Sequence, residues 1–469
     1  MANFQIENTP LWLDVKKIIS TSKKGIHYEY RGLLHTENED IPVLKIMVID
    51  TIRDYINKIG DYVHIEFKMP LGEYINKLYP YRTNLEFSIK KIELKETAPV
   101  MNSEIPILVD RYKAVFLYDE NPQVASTSLI GYDSESLNKL DMVDVKLQLL
   151  DRGLEPMRIK TVSGVYRQIN HEKLIGALIS GESNKILVDG KPIVEGIDVV
   201  KPDNEKDIQH VVIPDGTLIS QIPEFLQKHM GGIYSAGIAN YYQKYNGKKI
   251  WFVYPLYDLN RFDKNVCRVM FYAIPESRLS GIDRTYIQEG NLIRVLATAQ
   301  KKYKDSADAD YMNHGSGFRM ADANAYLKKP VEITKDGPLA RRANLNYEVM
   351  AFERQDGLNY APITDSKISN NPFKEYSKVL ARNVARIDLV WENANPELIH
   401  PGMPCKYLYY NKEKLIELKG TIVHVHAFNA LQGKGISGNS YRTMCYLTLL
   451  TEKSIETPEE IIPQSKGEF

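Results

Sequence analysis

The sequence predicts a mainly β protein with a smaller α+β part, and three observations lead to that prediction. Apolar and polar residues alternate with a period of two in many segments, which is the pattern of a strand with one buried face. Helical periodicity is restricted to a few short segments, most of them between residues 170 and 230. The stretch 301–380 is rich in Asp, Asn, Gly and Ala and shows little periodicity of either kind.

The strand pattern is clearest at residues 61–69, where every second residue is apolar. Residues 84–94 begin in the same way, but the frame slips at Lys90 and Lys91, which predicts a bulge. The same alternation predicts further strands at 109–118, 143–150, 158–166, 250–257, 268–274, 292–299, 385–391, 418–428 and 442–451.

Three short helices are predicted. Residues 50–59 carry isoleucines at helical spacing. Residues 170–180 begin at a candidate N-cap, Asn170, and stop before a glycine. The third segment, 217–230, contains Pro223, so the ordered helix is expected to begin or to kink there.

The composition is that of an ordinary globular chain of 469 residues and 53.7 kDa, for which about three domains are expected. The 60 basic and 60 acidic residues cancel, which argues against a dedicated nucleic-acid binder. Three cysteines are too few for a disulfide framework and indicate small buried side chains in a reducing compartment. No apolar segment is long enough to span a membrane, and the N-terminus lacks the apolar region of a signal peptide. Tyrosine is common, at 30 residues against 13 phenylalanines, which suits either large interfaces or half-exposed strand positions.

His424 and His426 are the strongest candidates for metal binding. Residues i and i+2 of a strand face the same side, so the two imidazoles have the spacing of metal ligands. The pattern offers no third ligand, since Glu417 is near only in sequence. The favoured interpretation is therefore two histidines that face outward or form hydrogen bonds, with no metal.

Other candidate constellations fail on spacing. An EF-hand loop beginning at Asp308 would place Arg319 where a bidentate glutamate is needed. The serine between glycines at 313–317 is not a nucleophile elbow, which needs a strand before it and a helix after it. Glu224 and Asp258 are a conceivable glycosidase pair that nothing in the sequence supports. The sequence therefore predicts no catalytic, cofactor-binding or metal-binding residue, no cofactor and no enzyme activity.

Four segments resemble the baseplate hub proteins of long-tailed bacteriophages. Residues 52–94 are similar to the opening barrel of hub and tail-tube proteins, and 145–181 is a second segment that carries the likeness. Residues 211–258 combine a turn, a helix, the sequence GGIY and a Trp-bearing strand, and look like the middle domain of these hubs. The late strands LIELKGTIVHVHAF and YRTMCYLTLLTE are similar to those of a second tube-like barrel.

The resemblance implies two tail-tube-like β-barrels, a middle α+β domain and a long irregular arm. The implied division places the first barrel at 1–140, the middle domain at 141–285 and the second barrel at 286–455. The arm lies at about 301–380, where it is expected to order against a neighbouring molecule, and 456–469 is expected to be a flexible tail.

In function, the resemblance implies a structural virion protein of the tail baseplate, made in the host cytoplasm. It would join the tail tube to the central spike as a ring-forming homo-oligomer, a trimer in this family, whose six barrels match a hexameric tube. The implied partners are the tail tube protein, the spike protein, other baseplate proteins and the tape-measure protein. Two alternatives stay open: a receptor- or carbohydrate-binding tail protein, and a tail-associated cell-wall hydrolase.

Overall fold

The computed structural model describes most of the chain. The described residues are 10–21, 27–94, 108–117, 142–205, 207–230, 232–234, 237–264, 266–279, 282, 284–299, 304–305, 317–322, 347–352, 384–411, 414–432 and 440–452. Within them, no helix is long and apolar enough to cross a membrane.

Strands dominate these residues, which confirms the mainly β prediction. In chain order they are β1 (His27–His35), β2 (Asp40–Val43), β3 (Lys45–Asp54), β4 (Tyr62–Pro70), β5 (Leu85–Leu94), β6 (Leu108–Phe116), β7 (Met142–Asp151), β8 (Thr161–Ile169), β9 (Leu187–Val188), β10 (Lys191–Pro192), β11 (Gly196–Val199), β12 (Ile208–Leu218), β13 (Ile238–Tyr245), β14 (Lys248–Pro255), β15 (Arg268–Ala273), β16 (Tyr286–Glu289), β17 (Leu292–Ala299), β18 (Lys304–Asp305), β19 (Gly317–Asp322), β20 (Tyr347–Phe352), β21 (Val384–Glu392), β22 (Pro404–Asn411), β23 (Lys414–Gln432) and β24 (Ser440–Glu452).

The helices are few and short. They are α1 (Pro10–Thr21), α2 (Leu71–Glu73), α3 (Leu154–Ile159), α4 (His171–Ser183), α5 (Ile222–His229) and α6 (Glu276–Leu279). Tighter or wider single turns occur at Tyr74–Leu78, Tyr79–Tyr81, Ile219–Gln221, Leu259–Asp263 and Pro396–Leu398.

Eight strands close a first ring in the order β1, β5, β6, β7, β4, β3, β23, β24. The single pair Tyr28–Tyr441 returns the ring from β24 to β1. At about eight strands, a barrel interior is just wide enough for side chains to fill it. Phe67, Phe87 and Leu147, all fully buried, are part of that filling.

A second ring runs β15, β17, β21, β24, β23, β22 and returns to β15. Its core contains Phe271, Leu447 and Trp391, all essentially inaccessible to solvent. Trp391 Nε1 donates to Thr285 Oγ1 at 2.8 Å, so the buried indole N–H has a partner.

The hairpin of β23 and β24 belongs to both rings. β23 pairs with β22 through Thr421 and with β3 from His424 onward, while β24 pairs with β1 at Tyr441 and with β21 from Met444 onward. A bulge separates the two halves of β23, between Ile422 and His424. Both rings curl to the same side of this hairpin, so its other side is a common outer wall.

The middle of the chain adds a separate α+β layer. The three-stranded sheet β11–β14–β13 packs with α4 and α5 around one apolar cluster that includes Trp251, and β8 and β12 form a two-stranded ribbon. The prediction of α4 is confirmed, because the Asn170 side chain accepts a hydrogen bond from the Lys173 N–H at 2.9 Å. The prediction for Pro223 is also confirmed, since it lies in the first turn of α5.

Two local predictions are wrong. Residues 50–54 end strand β3, which hydrogen-bonds to β4 and β23, and a turn follows in which Asp54 Oδ1 accepts the Ile56 N–H. Sheet pairing on both sides outweighs the isoleucine spacing that suggested a helix. β5 also shows no bulge at Lys90, because its registers with β1 and β6 are continuous; the frame slips because Lys91 occupies an inward position.

The implied division at residues 140 and 285 remains a prediction. Within 141–285, β7 hydrogen-bonds into the first ring and β15 into the second. Of the predicted arm at 301–380, the structure describes β18, β19 and β20, of which the last two pair with each other. The rest of the arm and the predicted tail at 456–469 lie outside the described residues.

Candidate functional site

His424 and His426 lie on β23, on the side that faces away from both ring cores, since Val425 and Ala427 between and beside them are buried. His426 Nε2 is 2.5 Å from Asp50 Oδ1 on β3, so this histidine forms a hydrogen bond with a neighbouring strand. Burial lowers the pKa of His424, although Asp54 opposite it acts in the other direction.

The remaining candidates are not brought together with this pair. Glu417 lies near the start of β23 and forms an ion pair with Lys406 at 3.1 Å. Within the described part of the chain, no group of three or more His, Cys, Asp or Glu side chains is arranged to hold a metal ion.

The glycosidase and calcium candidates also separate. Glu224 pairs with Lys228 along α5 at 3.3 Å, and the Asp258 side chain accepts the Asn260 N–H at 3.0 Å to begin a single helical turn. Asp308 and residues 313–316 lie outside the described residues, and so does the Arg319 side chain.

The outer side of the shared hairpin, with its neighbours β3 and β21, forms a surface that we call the shared wall. Its side chains stand in rows across four strands, set by the hydrogen-bond registers, and each row spans about 14 Å at the usual strand spacing. The three central rows are Asp54–His424–Thr448–Asp388, Ile52–His426–Tyr446–Val390 and Asp50–Phe428–Met444–Glu392.

The middle row of the shared wall is apolar apart from His426, and the carboxylates stand in the two outer rows. Val390 and Thr448, two members of these rows, are buried. Those three rows hold four carboxylates and no lysine or arginine. Two arginines stand just beyond them: Arg386 contacts Asp388 at 3.2 Å, and Arg442 contacts Glu392. Tyr446, in the middle row, is 37% exposed.

The opposite side of the first ring carries a different outer surface, on β6 and β7, which we call the β6–β7 wall. Its outward side chains combine three cations and one acid with apolar and amide groups: Val109, Arg111, Lys113 and Val115 on β6, and Met142, Asp144, Lys146, Gln148 and Leu150 on β7. The three cations contact acids on neighbouring elements, namely Glu86, Glu155 and Glu66, yet their side chains stay 39–44% exposed.

Behind the shared wall, Arg53 and Asp61 form a largely buried ion pair. Arg53 Nε lies 3.1 Å from Asp61 Oδ2, and its Nη1 donates to the Pro396 carbonyl at 2.8 Å. The Tyr241 hydroxyl donates to Asp61 Oδ1 at 3.0 Å. Burial raises the pKa of Tyr241 well above its ordinary value, so the hydroxyl stays a donor. The pair therefore ties β3 to β13 and to the segment after β21. We call this meeting point of the three segments the junction.

A second set of contacts extends this junction. Tyr55 donates to Gln243 Oε1 at 3.1 Å, and Gln243 Nε2 donates to the Ile399 carbonyl at 2.9 Å. His400 follows, with its ring stacked on Phe252 at 5.7 Å between centroids. Burial lowers the pKa of His400 to about 4, so this imidazole is neutral near pH 7. Because each polar group has a partner, the junction fixes how the layers meet.

Lys91 is an inward-facing cation of the first ring, with only 2% of its surface exposed. Its Nζ lies 2.7 Å from Glu397 Oε1 and 4.0 Å from the centroid of the Tyr28 ring. A buried amine is tolerated when it has an acid and an aromatic face beside it. Sequence analysis missed Lys91 and His400, and the frame slip at 90–91 was the only signal for either.

No family model and no curated protein matches the chain. Similar solved structures include the 43 kDa tail protein of prophage MuSo2 from Shewanella oneidensis, with 9% identity and a TM-score of 0.45 over 90% of this chain and 98% of that one. The Francisella PdpA–VgrG complex is similar in its lidded form, with 13% identity and a TM-score of 0.40 over 96% of this chain and 58% of that one. Its half-lidded form gives 12% identity and 0.34 over 97% and 62%. The chain thus spans less than two thirds of the length of the chains it matches in both of these forms.

Proposed function

We propose that the chain is a structural virion protein, a baseplate hub that connects the tail tube to the central spike as a ring-forming oligomer. Its partners in this proposal are further copies of itself in a trimer, the tail tube protein, the spike protein, other baseplate proteins and the tape-measure protein.

The observation that carries the proposal is the pair of closed strand rings fused through one hairpin. Each ring hydrogen-bonds its own strands into a closed sheet, so most edges are used within the subunit. A subunit with two such rings supplies six rings when three subunits meet, which suits a scaffold facing a hexameric tube.

The junction suits a protein that bears load. Arg53, Asp61, Tyr241 and Gln243 connect the first ring, the middle layer and the segment leading into β22 through charged or amide hydrogen bonds. Such a network holds the layers in one arrangement, as a connector between tube and spike requires.

Immunogold labelling of tails from the phage or prophage that encodes the chain tests this function. We expect label at the junction of tube and baseplate. Label confined to fibre tips would overturn the hub in favour of a receptor-binding protein. Release of soluble fragments from purified cell walls by the isolated chain would overturn it in favour of a hydrolase.

A further inference from the structure

We propose that the shared wall is the docking surface for a second copy of this chain, which presents its β6–β7 wall. The contact is front-to-back: each subunit uses its shared wall toward one neighbour and its β6–β7 wall toward the other. This inference rests on the proposed ring-forming function and names the two surfaces that build the ring.

The two walls lie on opposite sides of the first ring. In the eight-strand order of the first ring, β6 lies four places from β23 in either direction, and β7 lies four places from β24. The two walls therefore face away from each other across one barrel. A ring of identical subunits needs two different surfaces on different sides of each subunit, because its contacts are heterologous.

Exposed apolar side chains of the ring strands are concentrated on the two walls. Among the strands that form the two rings, the described large hydrophobic side chains that are exposed are Val109, Val115, Met142 and Tyr446. The first three lie on the β6–β7 wall and the last lies in the centre of the shared wall. Protein interfaces place apolar and aromatic side chains at their centre and polar groups at their rim.

The two walls also differ in charge. In the described part of the chain, the three rows of the shared wall hold four carboxylates. Two of them pair with arginines beyond the rows, and a third contacts His426. The outward side chains of β6 and β7 include three cations, Arg111, Lys113 and Lys146, against one acid, Asp144. Each cation also pairs with a glutamate on a neighbouring element, yet its side chain stays 39–44% exposed. Complementary charge sets the orientation and register of a contact more than its affinity. The acidic wall is therefore matched to the basic wall and not to itself.

The test is native mass spectrometry of the purified full-length chain and of two variants. Tyr446→Lys places a cation on the shared wall, where it would face the neighbour's cations. Val115→Glu places an acid on the β6–β7 wall, where it would face the neighbour's carboxylates. Each variant alone should lose the wild-type oligomer. Val109→Glu is a second variant of the same wall if Val115→Glu does not fold.

Mixing the two variants gives the decisive result. Each retains one intact wall, so the mixture should form a dimer with one copy of each variant and nothing larger. Isotope labelling of one variant identifies that species by mass. Val165→Glu, at a position 61% exposed on the β8–β12 ribbon, is the matched control and should assemble like the wild type.

The opposing outcomes separate this inference from the proposed function. If both variants keep the oligomeric state of the wild type, the two walls are not the contact surfaces, whereas the ring-forming function still stands. If Tyr446→Lys loses the oligomer while Val115→Glu keeps it, the front-to-back contact is overturned. That pattern would indicate a two-fold contact between the shared walls of two copies. A wild-type chain that stays monomeric at micromolar concentration overturns the ring-forming function, and this inference with it.

Discussion

Replacing His400 with phenylalanine should flatten the dependence of stability on pH. The histidine is buried against Phe252 and Tyr245, and burial lowers its pKa to about 4, from 6.5 in an unfolded chain. Between these two values the unfolded chain binds more protons than the folded chain. Stability therefore falls as the pH falls through this window.

The magnitude follows from the two pKa values. Between pH 7.5 and pH 5 the protonation of this one group should remove about 2 kcal/mol from the free energy of unfolding. Two neighbouring charges act on it in opposite senses: Arg261 lowers the pKa and Asp198 raises it. Both remain in the variant, so the comparison isolates the imidazole.

Urea denaturation at the two pH values measures the effect. His400→Phe retains a ring to stack on Phe252, and its stability should change less between pH 7.5 and pH 5 than that of the wild type, by about 2 kcal/mol. His210→Phe, at an exposed position on β12, is the control and should keep the wild-type slope. Equal slopes in His400→Phe and the wild type would refute the assignment of a buried, neutral imidazole.

Three further predictions concern the junction, the turns and metal. Arg53→Met should lower the free energy of unfolding by about 3 kcal/mol, because it leaves a carboxylate largely buried without its cation. Lys201→Met, which breaks an exposed pair, is the control and should leave the free energy of unfolding close to that of the wild type in the same denaturation assay. Gly402→Ala should destabilise the chain by about 2 kcal/mol or more, because φ at this residue is +65° and a Cβ would collide with the buried ring of Tyr254. Gly181→Ala, on α4 where a Cβ meets open space, should stabilise the chain by about 0.5–1 kcal/mol. Thermal melts of the two variants measure both effects. EDTA should leave the melting temperature unchanged, whereas a loss that zinc restores would show that the two histidines of β23 bind metal.

The strands were predictable because their local pattern matches their burial. In β4, Val63, Ile65, Phe67 and Met69 alternate with more exposed residues, and the same alternation identified the strands at the end of the chain. The start of α4 was predictable because its N-cap signal is local, from Asn170 to the third residue after it.

The closure of the rings could not be predicted, because it depends on pairs far apart in sequence. Val425 pairs with Arg53, and Tyr28 pairs with Tyr441. The local alternation of apolar and polar residues in a strand does not indicate which distant strand it pairs with. The two walls follow from that closure, since only the registers place Tyr446 beside Val390. The inward position of Lys91 is also a tertiary effect, fixed by an acid from a distant segment.

Electron microscopy of the purified full-length chain tests the central claim most directly. We expect closed rings in end-on views, in which every subunit contributes two barrel-sized densities. Image averages showing only compact single subunits, or an elongated fibre, would contradict it.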